Sequence, residues 1–386
     1  MAIIETTEDL RALVGELAAA PYIALDTEFM RDQTYWPKLC LMQVAATGIE
    51  AIIDPLAADI DLAPFYGLLA APGIVKVLHA ARQDMEIFYH QGSVIPDPLF
   101  DTQIAAMVCG FGESASYETL ARKLAHAEID KSARFTDWSR RPLTKRQLEY
   151  ALADVTHLRV VYEALAKQLQ KSERSAWVEE EIAALKDPAL YRLDPAEAWR
   201  RLKPRTTNKR FLALLAVVAE WREREAQSRD QPRNRILKDE ALLEIAAHPP
   251  ESGQALDHIR AVPKGFGASR LGKSLLDAIE KGRSASPPDG IEPARSRRQK
   301  EPSQSAIDLL KTLLRMRAEA AGVAPRLIAD TEDIEKLAAF EDDGVAALHG
   351  WRAEVFGNEA RALREGRLAV ALERGEAVLV KLDVQN

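Results

Sequence analysis

The stretch ALDTEF, residues 24–29, places two acids, Asp26 and Glu28, inside an apolar run that is typical of a buried strand. Side chains at positions i and i+2 of a strand point to the same face, so Asp26 and Glu28 would present paired carboxylates. Two such anions in an apolar setting are costly unless a cation lies between them, and a divalent metal ion would serve. Alone, the same triplet would also fit the edge of a surface strand.

Short strand patterns and helical patterns alternate around this stretch, over residues 1 to about 170. Four runs are typical of strands, namely YIALDTEF, CLMQVAA, EAIIDP and GIVKVLH. Short turns separate the first three, which predicts an antiparallel meander, and strands with helical crossovers follow it. The N-terminus predicts a short strand, a Thr6 or Thr7 cap and an amphipathic helix. One long amphipathic helix is predicted from Thr144 onward.

Two distant segments supply acids that can complete a site. Asp84, in VLHAARQDMEIF, follows a predicted strand and opens a helix, where it could simply cap the helix. Tyr150 and Asp154, in YALADV, are four residues apart on the long helix and share a face. They could also be a tyrosine covering the core and a surface aspartate. Taken together, four carboxylates make an oxygen-rich site suited to Mg²⁺ or Mn²⁺. Two such ions can drive phosphodiester hydrolysis.

From about residue 205 the pattern is helical and repeats itself once. FLALLAVVAEWREREAQSRDQPRNRIL resembles AIDLLKTLLRMRAEAAGVAPRLI, and three later segments correspond, namely ALLEIAA with DIEKLAA, GFGASRL with VFGNEAR and LLDAIEKG with AVALERG. We interpret these stretches as two copies of one helical module. A segment rich in Pro, Ser and Arg separates them and is typical of a linker.

The two copies differ in charge. Residues 203–282 hold 15 Lys and Arg against 11 Asp and Glu, whereas residues 302–380 hold 10 against 14. The first copy is therefore the better candidate for contact with phosphates, although a solvated helix face is the alternative.

Composition sets broad limits. The chain has 386 residues, 47% hydrophobic residues and a net charge of −7, which is typical of a globular protein. No apolar run reaches about 18 residues, so a transmembrane helix is not expected. Acids near the N-terminus argue against a signal peptide, and two cysteines cannot build a disulfide framework. We therefore expect a cytoplasmic protein.

The acids and their surroundings resemble the DEDD 3′→5′ exonucleases of the tyrosine subclass, and within them the ribonuclease D family. The most specific segments are LDTEFMRDQTYWPKLCLMQVA, FDTQIAA and DWSRRPLTKRQLEYALADV. PKGFG fits a loop of the HRDC domain, a helical module shared by helicases and ribonuclease D. The resemblance implies an α/β RNase H-like exonuclease domain, with a mixed sheet flanked by helices, followed by two all-α HRDC-type domains.

The expected domain bounds follow from the patterns and the resemblance. They are 1–170 for the exonuclease domain, 171–204 for a helical connector, 205–283 for the first HRDC domain, 284–301 for a linker, and 302–386 for a second, divergent HRDC-like domain.

The resemblance also implies an activity. It implies a 3′→5′ exoribonuclease that uses two divalent ions, Mg²⁺ or Mn²⁺, and releases 5′-mononucleotides in the 3′ maturation of transfer RNA precursors. The expected partner is RNA with a free 3′ end, and we expect a monomer with no membrane association. Two alternatives use the same sequence features. One is a DNA 3′→5′ exonuclease of the Werner type, and the other is a non-catalytic RNA-binding or helicase-interaction protein.

The predicted catalytic residues are Asp26, Glu28, Asp84, Tyr150 and Asp154, and the four acids are the predicted metal ligands. Asp26 would bridge both ions, Glu28 and Asp154 would hold the ion that activates the water, and Asp84 would support the other. A tyrosine with its ordinary pKa of about 10 is a poor general base. Tyr150 would therefore orient the water or the scissile phosphate through a hydrogen bond.

Further substrate contacts are predicted with open alternatives, at Phe29, Met30, His79, Lys131, Arg134, Arg140 and Arg141. Phe29 and Met30 could stack on the terminal base. Strand alternation places Phe29 on the face opposite the acids, however, which favours core packing. His79 could touch a phosphate or be a structural histidine. The four basic residues could grip the RNA backbone or form an ordinary loop face. Asp101 is explained by capping the helix that follows it.

Overall fold

A six-stranded mixed sheet forms the centre of the N-terminal domain in the computed structural model, which describes residues 2–130, 133, 136–204, 206–288 and 302–382. Its strands are β1 (Ala2–Ile4), β2 (Tyr22–Met30), β3 (Lys38–Ala46), β4 (Ile49–Ile53), β5 (Val75–Leu78) and β6 (Leu99–Asp101). The spatial order is β1-β4-β3-β2-β5-β6. The predicted antiparallel meander of β2, β3 and β4 is confirmed. β5 and β6 extend it in parallel beside β2, and β1 pairs in parallel with β4.

Within the described part of residues 1–172, six α-helices flank this sheet. They are α1 (Thr7–Leu17), α2 (Ala63–Leu69), α3 (Arg82–Gly92), α4 (Thr102–Val108), α5 (Tyr117–Leu124) and α6 (Lys145–Ser172). Thr6 caps α1 and Asp101 caps α4, as the sequence predicts. Thr144 caps the long helix α6 through a reciprocal capping box with Gln147. These side chains satisfy amide groups that would otherwise lack partners at the helix starts.

Helix α6 packs across one face of the sheet and brings the third functional segment to it. Val155 and Leu158 of this helix form a buried cluster with Ala24, Ala45 and Val77 from three strands. Small residues on the central strands allow the helix to approach the sheet closely. The residues of α6 next to this cluster therefore lie above β2, where the paired acids are.

The first helical domain has a hydrophobic core of its own. After α7 (Ser175–Leu185) and the 3₁₀ helices Pro188–Leu190 and Pro195–Leu202, it contains α8 (Lys209–Ser228), α9 (Arg233–Ile236), α10 (Asp239–Ala247), α11 (Gly253–Asp257) and α12 (Arg270–Arg283). Trp199, from the connecting segment, is buried in this core beside Leu215 and Trp221. Tyr35, which is partly buried, comes from the exonuclease domain and packs against this core.

The second helical domain repeats the first only in part. It contains α13 (Gln304–Ala321), α14 (Pro325–Ile328), α15 (Thr331–Ala338), α16 (Gly350–Arg352), a π-helical segment (Ala353–Gly357) and α17 (Asn358–Arg364), and it ends in the hairpin of β7 (Leu368–Glu373) and β8 (Glu376–Lys381). The correspondence of AVALERG with a helical segment of the first copy is therefore wrong, because residues 369–373 lie in β7. The matched segment of the first copy, LLDAIEKG, lies in α12, whereas residues 369–373 pair with β8.

The two helical domains are attached in different ways. The second shares one continuous hydrophobic core with the exonuclease domain. Trp351 stacks on Trp177 of α7 with ring centroids 4.4 Å apart, and Arg352 binds Glu181 at 2.5 Å. Within the described part of the chain, no helix is both long and apolar enough to cross a membrane.

Candidate active site

Three of the predicted acids converge. Asp26 and Glu28 project from the same face of β2, and Asp154 reaches them from α6. Each of the three offers a carboxylate oxygen, and these oxygens lie within 4.8 Å of one another. The residue spacings along β2 and α6 therefore bring three carboxylates together, as the sequence predicts.

Asp84 stands slightly apart from this cluster. It is the third residue of α3 and is only 7% exposed, and it lines the same pocket as the three acids. It is not the N-cap of its helix, a position that Ala81 takes. Its Oδ1 accepts a hydrogen bond from the hydroxyl of Thr27, the residue between Asp26 and Glu28. The structure thus places all four acids at one pocket but gives Asp84 a separate partner.

The electrostatics of the site show that the acids are held together against their mutual repulsion. Burial raises the pKa of Asp26 well above its usual value, and the charges of Asp154, Asp84 and Glu28 raise it further. Burial also raises the pKa of Asp84 to about 7, and the hydrogen bond from Thr27 opposes that rise. Raised carboxylate pKa values of this kind indicate a site that is short of positive charge.

Two tyrosines line the pocket beside Asp154. Burial raises the pKa of Tyr150, and the charges of Asp154 and Glu28 raise it further, so its hydroxyl stays protonated. Tyr117 of α5 donates a hydrogen bond to the main-chain carbonyl of Asp154 and contacts that of Ala153 at 3.3 Å. Burial also raises the pKa of Tyr117. Tyr150 is therefore able to donate a hydrogen bond, and Tyr117 holds the helix that carries Asp154.

The pocket has a volume of about 490 Å³, large enough for one nucleotide unit, and two predicted substrate contacts line it. His79 is one of them, and its Nδ1 lies 3.0 Å from the hydroxyl of Thr102. Burial lowers the pKa of His79, which favours its neutral form. Phe29 is the other, although it also packs partly against the main core. The pairing of β2 with β3 shifts register between Glu28 and Phe29, so simple alternation does not hold at that point.

Among the described residues, the predicted contacts Met30, Arg140 and Arg141 do not line this pocket. Met30 packs against the buried cluster around Trp138 and Ala151. The side chain of Arg140 is 84% exposed and pairs with Asp137. Lys131 and Arg134 lie outside the described residues.

Arg141 has a structural environment that the sequence did not suggest. Its guanidinium binds both carboxylate oxygens of Asp54, at 2.5 and 2.6 Å, and also the carbonyl of Cys40 at 2.7 Å. Asp54 is 3% exposed and also accepts a hydrogen bond from the amide of Leu56. These contacts occupy the guanidinium, which weighs against a role in gripping RNA.

Sequence reasoning missed three residues beside the site. Thr27 and Tyr117 support Asp84 and Asp154, and Gln43 lies on β3 directly opposite Asp26. The sequence could have indicated Gln43, because it is a polar residue inside the apolar strand CLMQVAA. It could not have indicated Thr27 and Tyr117, because their partners are distant in the sequence.

Comparison with known proteins defines the class. Residues 1–170 match the family model described as a 3′-5′ exonuclease, and residues 211–279 match the HRDC domain. With the clustered acids, these matches define a 3′→5′ exonuclease that carries a helical HRDC domain.

Full-length relatives identify the family. The chain is 48% identical to ribonuclease D of Granulibacter bethesdensis over 381 residues, which cover 98% of this chain and 96% of the relative. It is 46% identical to ribonuclease D of Nitrobacter hamburgensis over 99% of this chain and 100% of the relative. The chain belongs to the ribonuclease D family.

A solved structure agrees. The crystal structure of Escherichia coli RNase D, an exoribonuclease involved in structured RNA processing, is similar with a TM-score of 0.81 and 31% identity. The match covers 95% of this chain and 98% of that one. The chain is accordingly a hydrolytic 3′→5′ exoribonuclease, and this decides against the DNA exonuclease and the non-catalytic binding protein. Exonucleases of this kind use divalent metal ions.

Proposed function

We propose that this exoribonuclease hydrolyses RNA from the 3′ end to 5′-mononucleotides with two divalent ions, Mg²⁺ or Mn²⁺, held by Asp26, Glu28, Asp84 and Asp154. The observation that carries the proposal is the convergence of three carboxylate oxygens within 4.8 Å in one pocket. Asp84 lines the same pocket, where it can support a second ion.

The donor set suits such ions. All four acids are hard oxygen donors, which Mg²⁺ and Mn²⁺ prefer. Like charges at this separation repel, as the raised pKa of Asp26 reflects, and bound cations would relieve that repulsion. When bound, the two ions would supply a nucleophilic water at neutral pH and stabilise the departing oxygen.

The protein groups around the acids then position the substrate. Tyr150 keeps its proton because its pKa is raised, so it serves as a hydrogen-bond donor to the water or to the scissile phosphate. Phe29 offers a ring for the terminal base at the edge of the pocket. Neutral His79, fixed by Thr102, would contact the nucleotide without adding charge.

We further propose that the substrates are precursors of transfer RNA with a free 3′ end. A precursor has folded regions that extend beyond the catalytic pocket, and the first helical domain offers cationic residues to them. Its exposed cations include Lys209, Arg210, Lys264, Arg270 and Lys273. Contacts of these residues with phosphates would release counterions, so binding should weaken steeply as salt is added.

The test of the catalytic proposal is a digest of RNA labelled at either end, with and without EDTA. The proposal requires single-nucleotide release from the 3′ end, loss of hydrolysis in EDTA and its return with Mg²⁺ or Mn²⁺. Asp26→Asn should abolish hydrolysis while RNA binding persists. If this variant digests RNA as fast as the parent, the site is assigned wrongly.

The substrate proposal has its own test. Trimming of a transfer RNA precursor with a 3′ extension is compared with trimming of an unstructured RNA of equal length, at several salt concentrations. Preference for the precursor that disappears at high salt supports the proposal, and equal rates at all salt concentrations contradict it. We also propose that the protein acts as a cytoplasmic monomer, which light scattering and cell fractionation would test.

A further inference from the structure

Gln43 lies next to the acid cluster in the sheet. In the antiparallel pairing of β2 with β3 it is directly opposite Asp26, and in the pairing with β4 it is opposite Ile52. Residues opposite each other in antiparallel strands project to the same face, with Cβ atoms about 5 Å apart. Gln43 therefore shares the sheet face that carries Asp26 and that α6 covers.

The amide of Gln43 is fully buried without a hydrogen-bond partner. Its side chain is 0% exposed, and among the described residues neither Oε1 nor Nε2 finds a protein partner. The neighbours of Gln43 on β3 that share its face, Leu41 and Ala45, are apolar and buried. An amide in such a place is destabilising, because it has lost its water and gained no bond in return.

Gln147 shows that this is not the ordinary state of a buried glutamine in this chain. It is 7% exposed, and its Oε1 accepts hydrogen bonds from the amide and the hydroxyl of Thr144 at 3.0 and 2.9 Å. Its Nε2 donates to the hydroxyl of Thr136 at 3.1 Å. One buried glutamine thus has its amide satisfied by the fold, and the other has its amide unpaired beside an acid.

Asp84, another acid of the site, already has a supporting side chain. Thr27 donates a hydrogen bond to Asp84, as described above. Carboxylates that bind metal ions are commonly held by such hydrogen bonds from neighbouring groups. A carboxylate that uses one lone pair of each oxygen for cations still has lone pairs that can accept an N–H.

We propose that Gln43 is a positioning residue for Asp26, whose carboxylate accepts a hydrogen bond from Nε2 of Gln43, directly or through one water, when divalent ions occupy the site. The amide is then unpaired only in the metal-free protein. It orients the acid that is expected to contact both ions. This inference rests on the proposed metal site and adds a residue to it.

The experiment compares Gln43→Met with Gln147→Met in the full-length protein. Methionine has nearly the shape of glutamine but cannot donate or accept a comparable hydrogen bond. Two quantities are measured, namely the melting temperature in EDTA and the affinity for Mn²⁺ from calorimetry without RNA. Gln43→Met should melt no lower than the parent, because it removes an unpaired buried amide. Its Mn²⁺ affinity should fall by about 10- to 100-fold.

Gln147→Met should show the opposite behaviour, with a lower melting temperature and unchanged Mn²⁺ affinity. The proposal is overturned if Gln43→Met binds Mn²⁺ as tightly as the parent. It is also overturned if this variant has a lower melting temperature than the parent in EDTA. That result would mean that the amide of Gln43 already has hydrogen-bond partners in the metal-free protein. If the parent protein itself binds no Mn²⁺, that result contradicts the proposed metal site, which is the premise of the role of Gln43.

Discussion

The hydroxyl of Thr27 donates a hydrogen bond to Oδ1 of Asp84, although the two residues are 57 positions apart in the chain. Thr27 lies between two of the clustered acids on β2, and Asp84 lies in the first turn of α3. This bond gives Asp84 a partner outside the cluster of the other three carboxylates. It also links the strand that carries Asp26 and Glu28 directly to the fourth acid.

Removing the hydroxyl of Thr27 should weaken the use of metal ions. Thr27→Val keeps the shape and the strand preference of the residue but leaves the buried carboxylate of Asp84 without its donor. A hydrogen bond to a charged group is worth about 1.5–3 kcal/mol. The Mg²⁺ concentration that gives half-maximal activity should therefore be at least roughly tenfold higher than for the parent. The measurement is the hydrolysis rate against Mg²⁺ concentration.

Thr156→Val is the matched control for this variant. It removes a hydroxyl from α6 that contacts the carbonyl of Leu152 and the carboxylate of Glu50, away from the pocket. Its Mg²⁺ dependence should equal that of the parent. An unchanged Mg²⁺ dependence in Thr27→Val would show that the bond has no role in the site.

The acid cluster should make the metal-free protein less stable as the pH rises. Burial raises the pKa of Asp84 from 3.8 to about 7, so the unfolded chain releases this proton at lower pH than the folded one. The free energy of unfolding should therefore fall between about pH 4 and pH 7, and the stabilisation present below pH 4 is lost above pH 7. From pH 5 to 8 the loss at this group is at most about 3 kcal/mol.

Comparison with Asp84→Asn isolates this contribution. Urea unfolding of both proteins in EDTA gives the difference between their free energies of unfolding at each pH. As the pH rises, the free energy of unfolding of the parent should fall relative to that of Asp84→Asn. Mn²⁺ should stabilise the parent most at alkaline pH. A difference that stays constant from pH 5 to 8 would mean that Asp84 ionises normally.

The sequence predicted the elements of the site better than their contacts. Alternation along β2 correctly placed Asp26 and Glu28 on one face of the strand. The separation of four residues correctly placed Tyr150 beside Asp154 on α6. These rules are local, because they depend only on the geometry of one strand or one helix. The separation of Asp84 depends on where α3 packs, which no local pattern contains.

The same limit applies to the rest of the chain. The ion pair of Arg141 with Asp54 spans 87 positions, so both residues looked like loop residues in the sequence. The segment AVALERG, which forms most of β7 and the turn after it, was matched to a helical segment of the first copy because both contain several apolar residues. Its turn residues Arg374 and Gly375 both have positive φ, at 53° and 90°. A glycine between two short apolar runs is the signal that favours a hairpin there.

Tyr150 should act as a hydrogen-bond donor and not as a base. Tyr150→Phe should lower kcat by about 10²-fold, as the loss of one donor to a developing charge does elsewhere. Because the pKa of Tyr150 is raised, the variant should keep the shape of the parent's pH–rate profile. Its Mn²⁺ affinity should change little, since the carboxylates remain.

Tyr162→Phe provides the control, because Tyr162 lies on the same helix but packs against Tyr22 and Phe100. Its kcat should match that of the parent. If Tyr150 were the base, the parent's rate would rise with pH in the alkaline range, and loss of that rise in Tyr150→Phe would contradict the prediction.

The second helical domain should be required for the stability of the exonuclease domain. Trp351 is 5% exposed and stacks on Trp177, inside the core that both domains share. Trp351→Ala should therefore lower the free energy of unfolding by about 3–5 kcal/mol. Activity and secondary structure should be lost together at a lower urea concentration.

Leu372→Ala, at a site that is 81% exposed, is the control and should change stability by no more than about 0.5 kcal/mol. Retention of exonuclease activity at urea concentrations that unfold the second helical domain would show that the two domains are independent.

The first helical domain should depend on Tyr35 for its docking. The hydroxyl of Tyr35 donates to Glu223, and it accepts hydrogen bonds from Arg233 at 2.8 Å and from Gln227 at 3.1 Å. The carboxylate of Asp230 accepts hydrogen bonds from the backbone amides of Tyr35 and Trp36, both at 3.0 Å. Polar contacts of this kind, beside a separate hydrophobic core, are typical of domains that can move relative to each other.

Tyr35→Phe should therefore loosen this docking without unfolding either domain, because Glu223 and Arg233 remain paired within the helical domain. Loss of a bond to the buried carboxylate should raise the undocked population about tenfold or more. Amide hydrogen exchange should then quicken in residues 31–37 and 223–237, and trimming of structured RNA should slow more than trimming of short single strands. Tyr66→Phe, which removes a hydroxyl that donates to Gln91 at 3.2 Å away from the docking contact, should change neither measurement. Equal exchange in both variants would mean that the domain is held by contacts other than those of Tyr35.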